Sequence, residues 1–507
     1  MTLLGLLALA SLASASPIND ALKHQSRAES SIKWGPCPFN SSTLLPHECG
    51  TLTVPLDHSD PESTATLTLS LLRSRAVAKG GSKGSILFNF GGPGYPALKT
   101  LSASAVELHN RTGGQYDLVA GTGQTMPFSC FNTSAERAIA YLQYPSLPVN
   151  AYPNALVDNW ANAEALNNVC ATKNKNSPNG TLIGTAFVVR DMMNIVDALG
   201  EDGKLRFWGL SYGTVLGMTA AAMFPDRIDR LVLDGVVNVH NYYERFGIDA
   251  DQLLSADGGW TALLQECIDA GTEKCALADV VATGEELATV LEDLAEDYKE
   301  SPVAVGTTVL NGHRVKELYF IVAKYPDPKV VSVASVHIRS LLDKTNLTAV
   351  AAYYAGLSSG VAGSDDALSG IKCSDTIPRA KTLEEVRPEI EYAGRSSKFF
   401  GNDFQGLTLS CATWPWKAKE VYGGEFGGKT PKGVLFIGNT YDVATSMIAA
   451  HAMGDLFEGS AVLEQKGFGH TSLAQASKCS GQVVAKYFLD GTLPEKGKIC
   501  DVDVSLF

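Results

Sequence analysis

Leu205-Arg-Phe-Trp-Gly209-Leu210-Ser211-Tyr212-Gly213-Thr214 is the stretch that decides how this chain folds. Leu205–Trp208 has the aliphatic and aromatic content of a short strand, and Tyr212–Phe224 carries a helical pattern stopped by Pro225. Between them, Gly209 and Gly213 flank a serine and let the backbone turn sharply from strand into helix. Such a turn lifts the Ser211 hydroxyl above a sheet. It also aims the Tyr212 N–H, at a helix N-terminus, toward any negative charge that develops beside the serine. The Gly-x-Ser-x-Gly string alone is common. With a strand before it and a helix after it, the string is specific for a nucleophile.

Working outward, Thr51–Val54 and Thr66–Leu72 alternate as half-buried strands, and Ile86–Phe90 and Tyr116–Ala120 are short apolar runs. Ala186–Leu199 is helical, and Arg230–Leu233 is the strand after the serine helix. Strands alternating with helices imply βαβ units and a parallel sheet. The alternation stops near Val239, and 240–410 reads as mainly helical, as at Glu285–Asp297 and Val331–Leu342. It resumes with a strand at Gly433–Gly438, a helix at Ser446–Phe457, a strand at Ala461–Gln465 and a helix at Leu473–Leu489. The expected fold is therefore α/β: a mostly parallel, doubly wound sheet interrupted by a helical cap. Its expected parts are a leader over 1–15, core over 16–240, cap over 241–410 and core again over 411–507.

A serine nucleophile needs a base and an acid that orients it, and in this architecture they follow in the order acid, then histidine. Asp442 lies just past the Val434–Ile437 strand, in Gly438-Asn-Thr-Tyr-Asp442. His470 ends Gly467-Phe-Gly-His470 after the next strand. His470 would take the serine proton and return it to the leaving group, while Asp442 would hold the imidazole tautomer. Asp234 also ends a strand, but Leu231-Val-Leu-Asp-Gly235 reads as a structural turn. His451 sits among apolar helical neighbours and reads as packed. Gly91-Gly-Pro-Gly94 follows the Ile86–Phe90 strand. A loop without side chains lets amides approach a carbonyl, so the Gly92 N–H joins that of Tyr212 as an oxyanion donor.

Gly423-Gly-Glu-Phe-Gly-Gly428-Lys-Thr430 matches a phosphate-binding string, but Pro431 and a strand follow where a helix should open. No metal-ligand spacing appears, so neither metal nor cofactor is expected. The net charge of −13, from 54 acidic and 41 basic residues, disfavours nucleic acid as a partner. A membrane partner is not expected either, because the one unbroken apolar run, Leu3–Leu12, is too short to span a bilayer. Followed by Ala13-Ser14-Ala15, that run reads as a secretion signal cleaved after Ala15. Glycosylation sequons at Asn40, Asn110, Asn132, Asn179 and Asn346 agree with export. So do ten cysteines without a Cys-x-x-Cys spacing. Pairing neighbours in sequence gives Cys37–Cys49, Cys130–Cys170, Cys267–Cys275, Cys373–Cys411 and Cys479–Cys500, although spacing alone does not fix connectivity.

These residues closely resemble the secreted tripeptidyl-aminopeptidase-like branch of the α/β-hydrolases, related to proline iminopeptidases. The resemblance rests on Gly91-Gly-Pro-Gly94, on Gly209-Leu-Ser-Tyr-Gly-Thr-Val-Leu-Gly217, and on Phe224-Pro-Asp-Arg-Ile228 with Leu231-Val-Leu-Asp-Gly235. It continues through Cys411 with Trp414-Pro415, Thr430-Pro431, Asp442 and Gly469-His470. It implies a Ser211–Asp442–His470 triad, oxyanion donors at Gly92 and Tyr212, and a cap that limits substrate length. Three positions depart from the family's pattern: Phe90 stands for its usual histidine, Pro96-Ala97 for Ser-Gly, and Ala120-Gly-Thr-Gly-Gln124 for Asp-Pro-Arg-Gly. All three surround the oxyanion loop and bear on substrate choice. The expected function is a secreted serine exopeptidase that releases short peptides from free N-termini. An esterase or lactonase for a small metabolite stands as the alternative, and a non-catalytic binding protein of the same fold as a third. Amine recognition would need a carboxylate. The acidic and aromatic run Tyr242, Tyr243, Glu244, Asp249 and Asp251 opens the cap, and Glu244 is its first candidate.

Overall fold

The computed structural model describes residues 31–39, 45–123, 125–175, 177, 179–246, 251–359 and 365–507. Its main sheet has ten strands: β1 (Lys33–Pro36), β2 (His47–Pro55), β3 (Thr66–Ser74), β4 (Ser85–Asn89), β5 (Asp117–Ala120), β6 (Leu205–Leu210), β7 (Ile228–Asp234), β8 (Leu435–Tyr441), β9 (Ala461–Phe468) and β10 (Ile499–Asp501). They lie in the order β1-β2-β3-β5-β4-β6-β7-β8-β9-β10. The pairs β1/β2, β2/β3 and β3/β5 are antiparallel, and every pair from β5 to β10 is parallel. The central strands are buried on both faces, as parallel strands covered by crossover helices must be. On β6, Leu205 and Phe207 join one core, and Trp208 and Leu210 join the other. The first core packs under helices Thr185–Leu199 and Tyr212–Met223, the second under Ala97–Arg111 and Lys478–Asp490. This is the expected α/β class.

The sequence pattern misses the two edge strands. β1 and β10 are short and partly exposed, so neither shows alternation. Their pairing comes from their neighbours and from nearby disulfides, Cys37–Cys49 and Cys479–Cys500. All five disulfides join the cysteines expected from sequence order.

Two chain segments roof the sheet. The expected insertion packs helices Ala256–Ala270, Gly284–Glu300, Gly312–Lys324, Pro328–Leu342 and Leu347–Ser359 around their own core, with Trp260, Leu291, Tyr319 and Phe400 at its centre. It also holds a small hairpin, Val303–Val305 with Thr308–Leu310. The second segment lies between β5 and β6. Its helices Ser134–Gln143 and Ala155–Lys173 form part of the roof, the latter against Gly406–Ala412 from the insertion. Cys130–Cys170 braces this segment, and Cys373–Cys411 braces the insertion beside it. Among the described residues no helix is long and apolar enough to cross a membrane. The expected leader and Asn40 lie outside the described residues.

Candidate active site

Ser211 stands at the junction of β6 and the helix Tyr212–Met223, with φ 57° and ψ −122°. That conformation is costly for a non-glycine residue and persists only where surrounding structure enforces it. Here the Ser211 N–H donates to the Asp234 carbonyl at 2.9 Å. Two close approaches demand glycine. A Cβ on Gly213 would lie 2.7 Å from the Asn89 carbonyl oxygen, and one on Gly91 would lie 2.8 Å from the Ser211 Cβ. The turn and the glycine loop after β4 are therefore packed against each other. The Asn89 side chain holds that loop by accepting the Gly91 N–H at 2.9 Å. The N–H groups of Gly92 and Tyr212 donate to no other described residue.

Asp442 and His470 meet at the ends of adjacent parallel strands β8 and β9. Asp442 Oδ2 lies 2.9 Å from His470 Nδ1, and its oxygens also accept from the Ala444, Thr445 and Thr471 N–H groups and the Thr445 hydroxyl. Burial alone would raise the Asp442 pKa. The adjacent His470 and these donors outweigh burial and hold the carboxyl below its usual range. Asp234 does something else. Its two oxygens accept the Ser472 N–H at 2.8 Å and the Ser472 hydroxyl at 2.6 Å, so it anchors the loop that carries His470. Burial pushes its pKa up. The cap holds the same loop from above, because the His470 N–H donates to the Lys324 carbonyl at 2.8 Å.

Ser211, His470, Gly92 and Tyr212 line one cavity of about 600 Å³. The structure does not bring Glu244 into it. That side chain is 55% exposed and pairs with His240 at 3.1 Å, one turn away on its own helix. Asp249 lies outside the described residues. The cavity wall instead carries two acids that the sequence analysis passed over, Glu317 and Asp403. Asp403 already faces His313 at 3.5 Å and Lys316 at 3.9 Å. Glu317 makes no ion pair among the described residues. Glu317 sits amid charges that read as an ordinary solvated helix face, Asp403 lies in a turn with no motif to mark it, and only the fold brings them to the cavity.

A third acid that the sequence analysis passed over lies behind Tyr212. Asp375 is fully buried and accepts the Thr185 N–H at 3.0 Å, the Thr185 hydroxyl at 2.6 Å and the Tyr242 hydroxyl at 3.0 Å. The Thr185 hydroxyl lies 2.6 Å from that of Tyr212. Burial pushes Asp375 up to about 7, against the pull of these donors. His451 is exposed on its helix, not packed as expected. The phosphate-loop string opens no helix, since Gly428–Lys429 pairs as a short strand with Phe457–Glu458. Of the sequons, Asn110, Asn132 and Asn346 are exposed and Asn179 is partly buried. Among the described residues no cluster of His, Cys, Asp and Glu could hold a metal ion.

The fold and site together define a serine hydrolase with the α/β-hydrolase fold. Residues 153–260 match the family model described as alpha/beta hydrolase fold, and residues 397–500 match the one described as TAP-like protein. Along its length the chain is similar to members of the tripeptidyl-aminopeptidase-like branch. It is 26% identical over 496 residues to the tripeptidyl aminopeptidase of Streptomyces coelicolor, covering 93% of this chain and 86% of that protein. It is 28% identical over 492 residues to the serine protease Hip1 of Mycobacterium tuberculosis, covering 92% and 91%. A third relative, carboxylesterase B of M. tuberculosis, is 24% identical over 492 residues, covering 92% and 89%.

Proposed function

We propose that this serine hydrolase is an exported exopeptidase that removes short peptides from free N-termini through an acyl-enzyme. Ser211 attacks the scissile carbonyl, His470 takes its proton and passes it to the leaving amine, and Asp442 stabilises the imidazolium. The Gly92 and Tyr212 amides receive the oxyanion. Water then attacks the acyl-enzyme with His470 again as base, releasing the peptide and restoring Ser211.

One observation carries the exopeptidase reading: Glu317, which makes no ion pair among the described residues, lines the same cavity as Ser211. Glu317 and Lys324 share the helix Gly312–Lys324, and the Lys324 carbonyl holds the His470 backbone. Seven helical residues span about 10 Å, which is also about the length of three extended residues. A peptide acylated on Ser211 would thus bring its ammonium to Glu317 after about three residues. Burying that ammonium without an anionic partner would be costly. Five disulfides support an oxidising compartment for the folded chain. Similarity to proteins named tripeptidyl aminopeptidase and serine protease points the same way.

The test compares a tripeptide amide bearing a free amine with its N-acetylated form. Acetylation is expected to remove most of kcat/KM. Equal turnover of both would reject amine recognition. Ester cleavage without peptide cleavage would instead select the esterase reading, which the altered residues around the oxyanion loop and the similarity to a carboxylesterase keep in play.

A further inference from the structure

A second chamber of about 260 Å³ lies beside the cavity that holds Ser211. The two adjoin, sharing four wall residues, Ser146, Leu368, Gly406 and Leu407. At this boundary Gly406 packs closely on Ser146, since a Cβ on Gly406 would stand 2.4 Å from the Ser146 hydroxyl. Beyond it the walls are mostly apolar, with Phe131, Tyr141, Leu166 and Trp414 among them. The polar groups there are already engaged within the protein. Asp366 accepts from Arg137 at 2.6 Å and from the Cys130 N–H at 2.9 Å. The Asn159 amide bonds both ways with the Leu147 backbone, and Asn167 donates to Ser410 and Thr413. A guest would find apolar surface and no unmet charge, so apolar groups are favoured over polar ones.

The chamber's place relative to the substrate follows from the chain. Gly406 and Leu407 come three and four residues after Asp403, which faces His313 on the helix that carries Glu317. The boundary between the two therefore lies toward the helix that carries Glu317, the end proposed to receive the ammonium. We propose that this side chamber receives a large apolar side chain from the substrate's N-terminal residue, so that the enzyme selects peptides beginning with an aromatic or long aliphatic residue. This inference rests on the exopeptidase reading and adds a substrate class to it.

The test is a series of free-amine tetrapeptide amides whose fourth residue is the leaving group, varied one position at a time, the fourth included. Peptides beginning with Phe or Leu are expected to exceed those beginning with Gly or Asp by about tenfold or more in kcat/KM, the range an apolar pocket supplies. Two variants add bulk to the chamber from different helices, at residues that do not line the cavity beside Ser211: Ala163→Trp on helix Ala155–Lys173 and Ser369→Trp on helix Asp365–Asp375. In whichever variant melts cooperatively, the Phe-to-Gly ratio should collapse to about threefold or less. A flat response to the first residue overturns the inference while leaving the exopeptidase intact. So does a preference that follows the residue after the scissile bond, or a ratio that survives in both variants. Failure to cleave any free-amine peptide, with esters still hydrolysed, would reject the exopeptidase reading and this inference with it.

Discussion

The two ends of the catalytic cavity are built in different ways. At the sheet end, Ser211, Asp442 and His470 each follow a parallel strand within a few residues, and Gly92 follows β4. Strand pairing positions these groups, and short loops leave them little freedom. At the roof end, Glu317, Asp403 and Leu407 come from helices and turns of the insertion, and Ser146 comes from a different segment altogether. Under the proposed function, the difference separates chemistry from selection. Parallel strand ends can hold reacting atoms to the tolerance that catalysis requires, while a roof of packed helices can change what it accepts without disturbing them.

If that division is right, damage at the sheet end should abolish turnover for every substrate, and damage at the roof should change which substrates are used. The largest effect belongs to Ser211→Ala, which should lose about 10⁶-fold in kcat and all labelling by a fluorophosphonate while melting normally. Undiminished labelling would place the nucleophile elsewhere. Asp442→Asn keeps the shape but favours the wrong His470 tautomer, and kcat should fall by about 10⁴-fold. Asp234→Asn should fall far less and act mainly on stability, because Asp234 holds the Ser472 end of the loop and not the imidazole. A folded, inactive Asp234→Asn beside an active Asp442→Asn would reverse the two assignments.

Roof changes should be smaller and selective. Glu317→Gln is expected to lower kcat/KM about 10- to 100-fold for free-amine peptides, the effect of removing one partner of a desolvated charge pair, with N-acetylated peptides unaffected. Equal losses for both would mean that Glu317 supports the fold and not the amine.

The smallest effect concerns the junction of the two regions. The Asp375 pKa is raised from 3.8 to about 7, so between those values the unfolded chain releases a proton that the folded chain keeps. Stability conferred by the protonated group is therefore full below about pH 4, falls as pH rises toward about 7 and levels off above it. Asp375→Asn should remove that component from the melting-temperature profile, and an unchanged profile would show that Asp375 is ionised throughout.

How much of this was legible differs between the two ends for the same physical reason. The turn at Ser211 announces itself because a sharp strand-to-helix reversal needs glycines at fixed offsets. Asp442 and His470 stand together at adjacent strand ends, in the order the sequence pattern implies, because sheet topology places loop residues at carboxyl ends of strands. Neighbouring cysteines paired as expected, since short separations favour closure. Glu317 carries no such mark. Its sequence neighbourhood is charged like any helix face, and only the packing of Gly312–Lys324 over the sheet turns it inward. Glu244 follows β7 closely in sequence, which suggests the site, yet its helix leaves it exposed to solvent.

The amino-acid sequence by itself determined the alternation of strands and helices, the strained serine turn and the order of its partners. All of these depend on backbone sterics and on burial patterns repeated over a few residues. The tertiary structure alone decided that two separate segments form the roof, which carboxylates face the serine, and that Asp375 sits behind Tyr212. Those outcomes depend on contacts between residues far apart in the chain, such as the 190 positions separating Thr185 from Asp375, and no local pattern encodes a contact at that range.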